Sequence, residues 1–273
     1  MKDLDKNVKR LLLVLAVLFF CNPGFGQNID GETFSLELSN PNSPGKLEFQ
    51  NTNGGISIVG HDKATIEIFA KRREKRKAPK TREGMKSISN NNLEYSVEEI
   101  KNTVLIRTWN SGTVDFEIKV PRKFSLNIKT VNRGNIYVEK VSGEFEVSNV
   151  NGSITMKDVS GSVIADALNK DIIVNFISIN NSPMAFSNFN GDIEVSFPGS
   201  LQAEVKAKSQ TGEIYTDFDM KIKAADPTIS KKEANGAYKV TRDEWVRGSI
   251  NGGGAEIVFQ THNGDILIRN KDK

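Results

Sequence analysis

Gly134-Asn135-Ile136-Tyr137-Val138, Gly143-Glu144-Phe145-Glu146-Val147, Gly152-Ser153-Ile154-Thr155-Met156 and Gly161-Ser162-Val163-Ile164-Ala165 follow one another at nine-residue intervals. The next copy, Lys170-Asp171-Ile172-Ile173-Val174, keeps the interval and replaces the glycine. In each copy a bend leads into apolar-x-apolar, and a third apolar residue follows at +5: Val141, Val150, Val159, Leu168 and Ile177. Period-two alternation puts Ile154 and Met156 on one face of a strand and Thr155 on the other. Glycine and Asn-Gly supply the positive φ of a tight bend. Nine residues therefore hold one short strand and one turn. Such a strand has no stability alone, but stacked copies bury a continuous apolar stripe.

A second period lies on the first. Asn-containing turns precede Ile154, Ile172 and Ile193, whereas Ser-Gly turns precede Phe145 and Val163. The alternation predicts a coil of 18 residues with two strands. Val163 to Met184 and Ile172 to Ile193 are both 21 residues apart, so one three-residue insertion near Ile179–Pro183 explains both. The expected fold is all-β: a parallel β-solenoid, β-helix-like or β-roll-like, with its clearest repeats over 131–197.

The same alternation appears upstream at Lys46–Phe49, Gly55–Val59, Thr65–Phe69, Leu93–Val97, Thr103–Thr108, Thr113–Val120 and Phe124–Thr130. Downstream it returns at Gly191–Phe197, Gln202–Lys208, Glu213–Asp217, Ala255–Thr261 and Asp265–Arg269. Two stretches, 71–86 and 220–248, are polar and irregular and read as loops. The β pattern resumes after each, so 27–273 reads as a single domain.

The start of the chain reads as an export signal. Lys2, Lys6, Lys9 and Arg10 precede the apolar run Leu11–Cys21, and Gly24 and Gly26 provide small residues for cleavage before Gln27. The run is about half of the roughly 20 residues that span a bilayer. The expected product is a 1–26 signal peptide and an exported protein of the periplasm, outer-membrane surface or extracellular space. Cys21, the chain's single cysteine, follows bulky Phe20, where a lipid-attachment motif wants a small residue. Cleavage at Gly26 would remove it, leaving no disulfide or thiol chemistry.

The short motifs Asn53-Gly54-Gly55-Ile56-Ser57-Ile58, Val150-Asn151-Gly152-Ser153-Ile154, Asn190-Gly191-Asp192-Ile193-Glu194-Val195 and Asn263-Gly264-Asp265-Ile266-Leu267-Ile268 carry a family resemblance. They resemble the bacterial putative-adhesin family of exported β-strand-repeat proteins, a largely uncharacterised domain of unknown function. Asn251-Gly252-Gly253-Gly254-Ala255-Glu256-Ile257-Val258 is similar to that family's C-terminal end. The resemblance covers most of 27–273, implies an exported β-solenoid, and supplies no catalytic residues. This chain departs from the motif at Arg133-Gly134 and Asn169-Lys170.

Several chemistries lack their residues. A calcium β-roll needs G-G-x-G-x-D in successive turns, and here each turn has one glycine and no regular aspartate. Glycoside cleavage needs two facing carboxylates; Glu146, Asp158, Asp192 and Glu194 read as a solvated strand face. His61 and His262 are the only histidines and have no second ligand at metal spacing. No catalytic, metal or cofactor-binding residues are therefore expected. A net charge of +3 does not indicate nucleic-acid binding. One anion-binding candidate stands out: Lys71, Arg72, Arg73, Lys75, Arg76 and Lys77, which could meet lipid headgroups or acidic glycans in a peripheral contact. Trp109 and Trp245 are candidates for stacking on sugar, or for packing. The sequence thus points to an exported, non-catalytic interaction protein at the cell envelope, with an envelope protein or glycan as partner. A polysaccharide-processing β-helix enzyme and a periplasmic envelope-sensing component are the alternatives.

Overall fold

The computed structural model describes residues 31–73, 93–109, 112–223, 228–230, 239–241 and 245–273. The expected signal segment 1–26, with Cys21, lies outside these residues, as do Lys75, Arg76 and Lys77. All regular structure in the described residues is β. The first strands are β1 (Glu32–Glu37), β2 (Gly45–Asn53), β3 (Ile56–His61), β4 (Thr65–Arg72), β5 (Tyr95–Ile100), β6 (Thr103–Thr108) and β7 (Val114–Pro121). The middle holds β8 (Phe124–Asn132), β9 (Ile136–Glu139), β10 (Ser142–Asn149), β11 (Ile154–Ala167), β12 (Ile172–Ile179), β13 (Met184–Asn190) and β14 (Ile193–Phe197). Last come β15 (Ala203–Ser209), β16 (Ile214–Thr216), β17 (Met220–Lys223), β18 (Thr228–Ser230), β19 (Lys239–Thr241), β20 (Val246–Ile250), β21 (Ala255–Asn263) and β22 (Ile266–Asn270).

β18 and β19 pair only with each other, and the remaining strands form one mixed sheet that turns back on itself as two walls. The first wall runs β1-β4-β7-β3-β9-β11-β12-β14-β22-β16. The second runs β5-β6-β2-β8-β10-β11-β13-β21-β15-β20-β17. β11 is long enough to serve both: Ile154–Met156 lie in the first wall and the stretch from Ile164 in the second. At the ~4.8 Å spacing of paired strands, ten strands make a wall ~43 Å tall.

The middle of the stack follows the expected period. Ile136 pairs with Ile154 and Ile154 with Ile172, each 18 residues on, in parallel register. The insertion is where spacing placed it: Gly161 still pairs with Ile179, whereas Ile164 pairs with Ala185. The +5 apolar position does not behave uniformly. Val141 and Val159 are buried, but Leu168 and Ile177 are 42% and 54% exposed. Leu168 sits on the outside of a turn. Ile177 is turned out because a register shift pairs Val159 with Phe176, which takes the inward place.

Three expectations are corrected. The stack is not parallel throughout: β1 and β4 at one end, and β5, β20 and β17 at the ends of the other wall, pair antiparallel. The stretch 71–86 is not wholly a loop, because Lys71 and Arg72 close β4. The stretch 220–248 likewise contains β17, β18, β19 and most of β20. These antiparallel pairings change the chain's direction, which reads as irregular against a parallel repeat.

Coil order in space also departs from chain order, at both ends. The coil β2–β3 lies between β6–β7 and β8–β9, although its residues precede both. The coil β21–β22 lies between β13–β14 and β15–β16, although its residues follow both. Counted in two-strand coils, β2–β3 and β21–β22 are thus each second from an end, with β1, β4 and β5 beyond the one end and β20 and β17 beyond the other.

Inward positions of both walls form one apolar cluster. Phe176 stacks on Phe197 within the first wall at 5.2 Å, and Phe186 on Phe259 within the second at 5.1 Å. Phe197 meets Phe259 edge-on across the core at 6.5 Å, and Phe49 meets Phe116 at 4.8 Å. Burying each such side chain contributes about 1.5–3 kcal/mol, which is what holds strands this short together.

Candidate functional site

The corner leading from the second wall to the first is built from a recurring polar-x-Asn-Gly signature. Its outer asparagines form a ladder. Asn151 donates to Asn132 at 2.7 Å, Asn169 to Asn151 at 2.8 Å, Asn190 to Asn169 at 3.3 Å and Asn263 to Asn190 at 2.7 Å. Thr211 then donates to Asn263 at 2.9 Å. Two residues earlier, on all of these strands but the one that carries Ala167, a polar group turns toward the core. Asn149 donates to the Gly134 and Ser153 carbonyls and accepts from the Gly152 amide. Thr130, Thr261 and Ser209 donate to the carbonyls of Gly54, Gly191 and Gly264 in neighbouring turns. Just after the bend, Asn135, Asp171, Asp192 and Asp265 each accept the amide of the next coil at 2.8–3.1 Å. The turns approach so closely that a Cβ on Gly264 (φ 140°) would lie 2.2 Å from the Gly191 oxygen. Where the motif departs, Arg133 itself takes φ 60°, and Asn169 keeps its place in the ladder without a following glycine.

Of the expected basic cluster, the structure places Lys71, Arg72 and Arg73. Arg73 forms a two-point ion pair with Asp115, with Nε to Oδ2 at 2.9 Å, and its Nη1 donates to the Arg133 carbonyl. Asp115 also accepts the Gly55 amide at 2.7 Å. Arg73 therefore ties β4, β7 and the β8–β9 turn together, a structural task that sequence position did not reveal.

The remaining candidates are dispersed. His61 Nε2 lies 2.7 Å from the Thr65 carbonyl, and His262 stacks flat on Phe189 at 4.6 Å. The four acids do not face one another. Glu146 lies beside Asn127 and Lys129 on the second wall; Glu194 pairs with Arg269 at 2.5 Å on the first. Asp192 occupies the corner ladder, and Asp158 lies 3.9 Å from Lys271. Among the described residues no three His, Cys, Asp or Glu side chains group as a metal site. Shifted titrations follow local ion pairs: Lys63 and Lys119 hold the Glu67 carboxyl down to about 2, and Arg122 holds Asp62 low. Trp109 is 52% exposed and lines a cavity of about 180 Å³ with Asn51, Asn53 and Thr108. The Trp245 ring carries the Lys206 ammonium at 4.5 Å.

The family model described as Toastrack DUF4097 matches residues 144–244. The resemblance read from the short motifs is upheld over that stretch, which contains the second half of the clearest repeats. No curated protein matches the chain. Among solved structures, a crystal structure of a putative cell adhesion protein from Clostridium sporogenes ATCC 15579 is similar, at 15% identity and a TM-score of 0.42. The match covers 89% of this chain and 99% of that one.

Proposed function

We propose that the protein is an exported, non-catalytic β-solenoid that acts as an interaction scaffold at the cell envelope, adhesin-like in presenting a rigid surface. The observation that carries this reading is the asparagine ladder. Main-chain pairing alone fixes neighbouring strands; the ladder adds a side-chain hydrogen bond between successive coils at a shared corner, which holds the outward positions in a fixed grid. Such a surface suits binding by shape and many weak contacts, with an envelope protein or glycan as partner. Of the acids singled out in the sequence, Glu146 and Glu194 lie on different walls, where they pair with Lys129 and Arg269, and Asp192 caps an amide at the corner.

Export is part of the same reading and rests on the 1–26 segment. Incubating residues 27–273 with a panel of envelope polysaccharides, following both retention and release of new reducing ends, tests the function. Retention without release is expected. Release of reducing ends that depends on the protein would refute it.

A further inference from the structure

The asparagine ladder stops one coil short of where strand register would carry it. Asn53 pairs with Asn132 in adjacent parallel strands, yet among the described residues the Asn53 side chain makes no hydrogen bond. Beside it the corner opens into the cavity of about 180 Å³ that Trp109 lines. Strand pairing brings these groups together: β6 runs parallel to β2, so Thr108 and Trp109 leave β6 at the level where Asn51, Thr52 and Asn53 end β2. The Trp109 main-chain amide donates to the Glu94 carbonyl at 3.0 Å, which fixes the residue, and Trp109 is 52% exposed. Asn51 is buried, and its Nδ2 donates to the Val114 carbonyl at 2.9 Å, which holds the amide at the cavity. Thr108 Oγ1 donates to the Gln50 carbonyl at 3.4 Å and keeps its lone pairs. None of the side chains around the space is ionisable; Arg72 approaches Gly112 but does not line it.

We propose that this cavity binds one neutral pyranose ring of a glycan. An indole offers a broad apolar surface that the C–H groups of a sugar can cover. The amides of Asn51 and Asn53 and the hydroxyls of Thr52 and Thr108 both donate and accept, as the hydroxyls of a sugar require. An uncharged lining suits a neutral ring better than an anion, which would enter without a cation to meet it. The space is smaller than the roughly 300–1,000 Å³ of sites that hold a whole drug-sized ligand, so it takes one ring and leaves the rest of the glycan outside. A peptide fits less well. Strand addition needs an open edge, and β2 and β6 are each paired on both sides. Trp245, the other tryptophan, instead carries the Lys206 ammonium on its ring. This inference rests on the proposed interaction role and names the partner's chemistry at one place.

The test uses residues 27–273 and a set of neutral oligosaccharides (cellohexaose, mannohexaose, galactohexaose and chitohexaose), with polygalacturonate as the charged comparison. Calorimetry is expected to show binding to at least one neutral sugar. Trp245→Phe leaves Trp109 as the only tryptophan; in that variant the bound sugar is expected to shift indole emission to shorter wavelength, which a distant contact would not do. Trp109→Ala is expected to weaken binding at least about tenfold, as removal of an aromatic anchor does. Asn53→Ala is expected to weaken it about fivefold, the worth of one hydrogen bond. Tyr215→Ala removes an aromatic of similar exposure, 53%, from β16 at the far end of the first wall. It is expected to bind within about twofold of wild type, as distant sites act independently. Thermal melting checks that the variants fold, and Trp109→Phe, with a smaller ring, serves if the alanine variant does not. Failure of every neutral sugar to bind, or equal binding by wild type and Trp109→Ala, would overturn the proposal and leave the scaffold reading standing. Equal losses in Trp109→Ala and Tyr215→Ala would overturn it as well. Tighter binding of polygalacturonate than of any neutral sugar would overturn the neutral class and bring Arg72 into the contact. Cleavage of a bound sugar would instead sink the non-catalytic reading and leave the ring's place in the cavity intact.

Discussion

Replacing Asn149 by alanine is the perturbation that most sharply separates the inner polar positions of the corner from its outer ladder. Asn149 is 1% exposed. Its amide donates to the Gly134 and Ser153 carbonyls at 3.1 Å each, and its oxygen accepts the Gly152 amide at 2.9 Å. Ser153 keeps a partner without it, because its carbonyl also accepts the Ile136 amide. The Gly134 carbonyl and Gly152 amide lose the side chain that satisfies them. Each orphaned buried group costs about 1–3 kcal/mol, so Asn149→Ala is expected to destabilise by about 2–4 kcal/mol. For a chain this size, each kcal/mol lowers Tm by about 2–4 °C, which places the expected fall at about 4–16 °C. Asn151→Ala, two residues on, removes solvent-facing ladder bonds that water can replace, at about 0.5–1 kcal/mol. Thermal and urea unfolding of both variants, followed by far-ultraviolet circular dichroism, reads the difference. Equal losses, or an Asn149→Ala protein as stable as wild type, would refute the reasoning.

Other perturbations probe other parts of the stack. Gly264→Ala forces a Cβ against the Gly191 oxygen and is expected to cost clearly more than Gly252→Ala, which carries only the backbone strain of φ 89° with open space around it, about 1 kcal/mol; matched melting curves would contradict this. Phe259→Ala empties the place where Phe186 and Phe197 meet and is expected to cost about 3–5 kcal/mol, so a loss under about 1 kcal/mol would show that the two walls do not share a core there. Glu67 should titrate near 2 by NMR, with its midpoint rising toward 4.5 in Lys63→Gln/Lys119→Gln. A folded-state pKa below the unfolded one means that this group favours the fold above pH 4.5, and that its contribution fades as pH falls through about 2. A midpoint unchanged by the double substitution would contradict the assigned cause.

The repeat over 131–197 was legible because one face of every strand must be apolar and every turn must bend. Those two demands mark Ile136, Ile154, Ile172 and Ile193 at spacings that reappear as strand pairs. Even the extra residues before Met184 showed as a common offset. Coil order was not legible. Residues 45–61 and 255–270 carry the same turn and strand pattern as their neighbours, so periodicity shows that coils stack without showing which coil meets which. Ile56 meets Ile136 and Ile193 meets Ile266 across long stretches of intervening chain.

The ladder was half legible. Asn-Gly reads as a bend for reasons of φ, which hides a second role for the asparagine. The signal lay in Asn169, which keeps its asparagine although no glycine follows. The contiguous run at 71–77 reads as one charged patch, yet Arg73 is held by Asp115, and contiguity says little about which charges share a face.

Everything said about the surface depends on the stacking order, and a cysteine pair tests that order most directly. Ala185 pairs with Val258 in adjacent parallel strands, both outward. Neighbouring strands lie about 4.8 Å apart, within the roughly 4.4–6.8 Å Cα range of a disulfide. Residues 27–273 contain no other cysteine. Under mild oxidation Ala185→Cys/Val258→Cys is expected to crosslink within one chain. Ala185→Cys/Lys206→Cys, two strands apart at ~9.6 Å, is expected to stay reduced. Crosslinking of the second pair and not the first would mean that the coils stack in chain order, contradicting the inserted terminal coil.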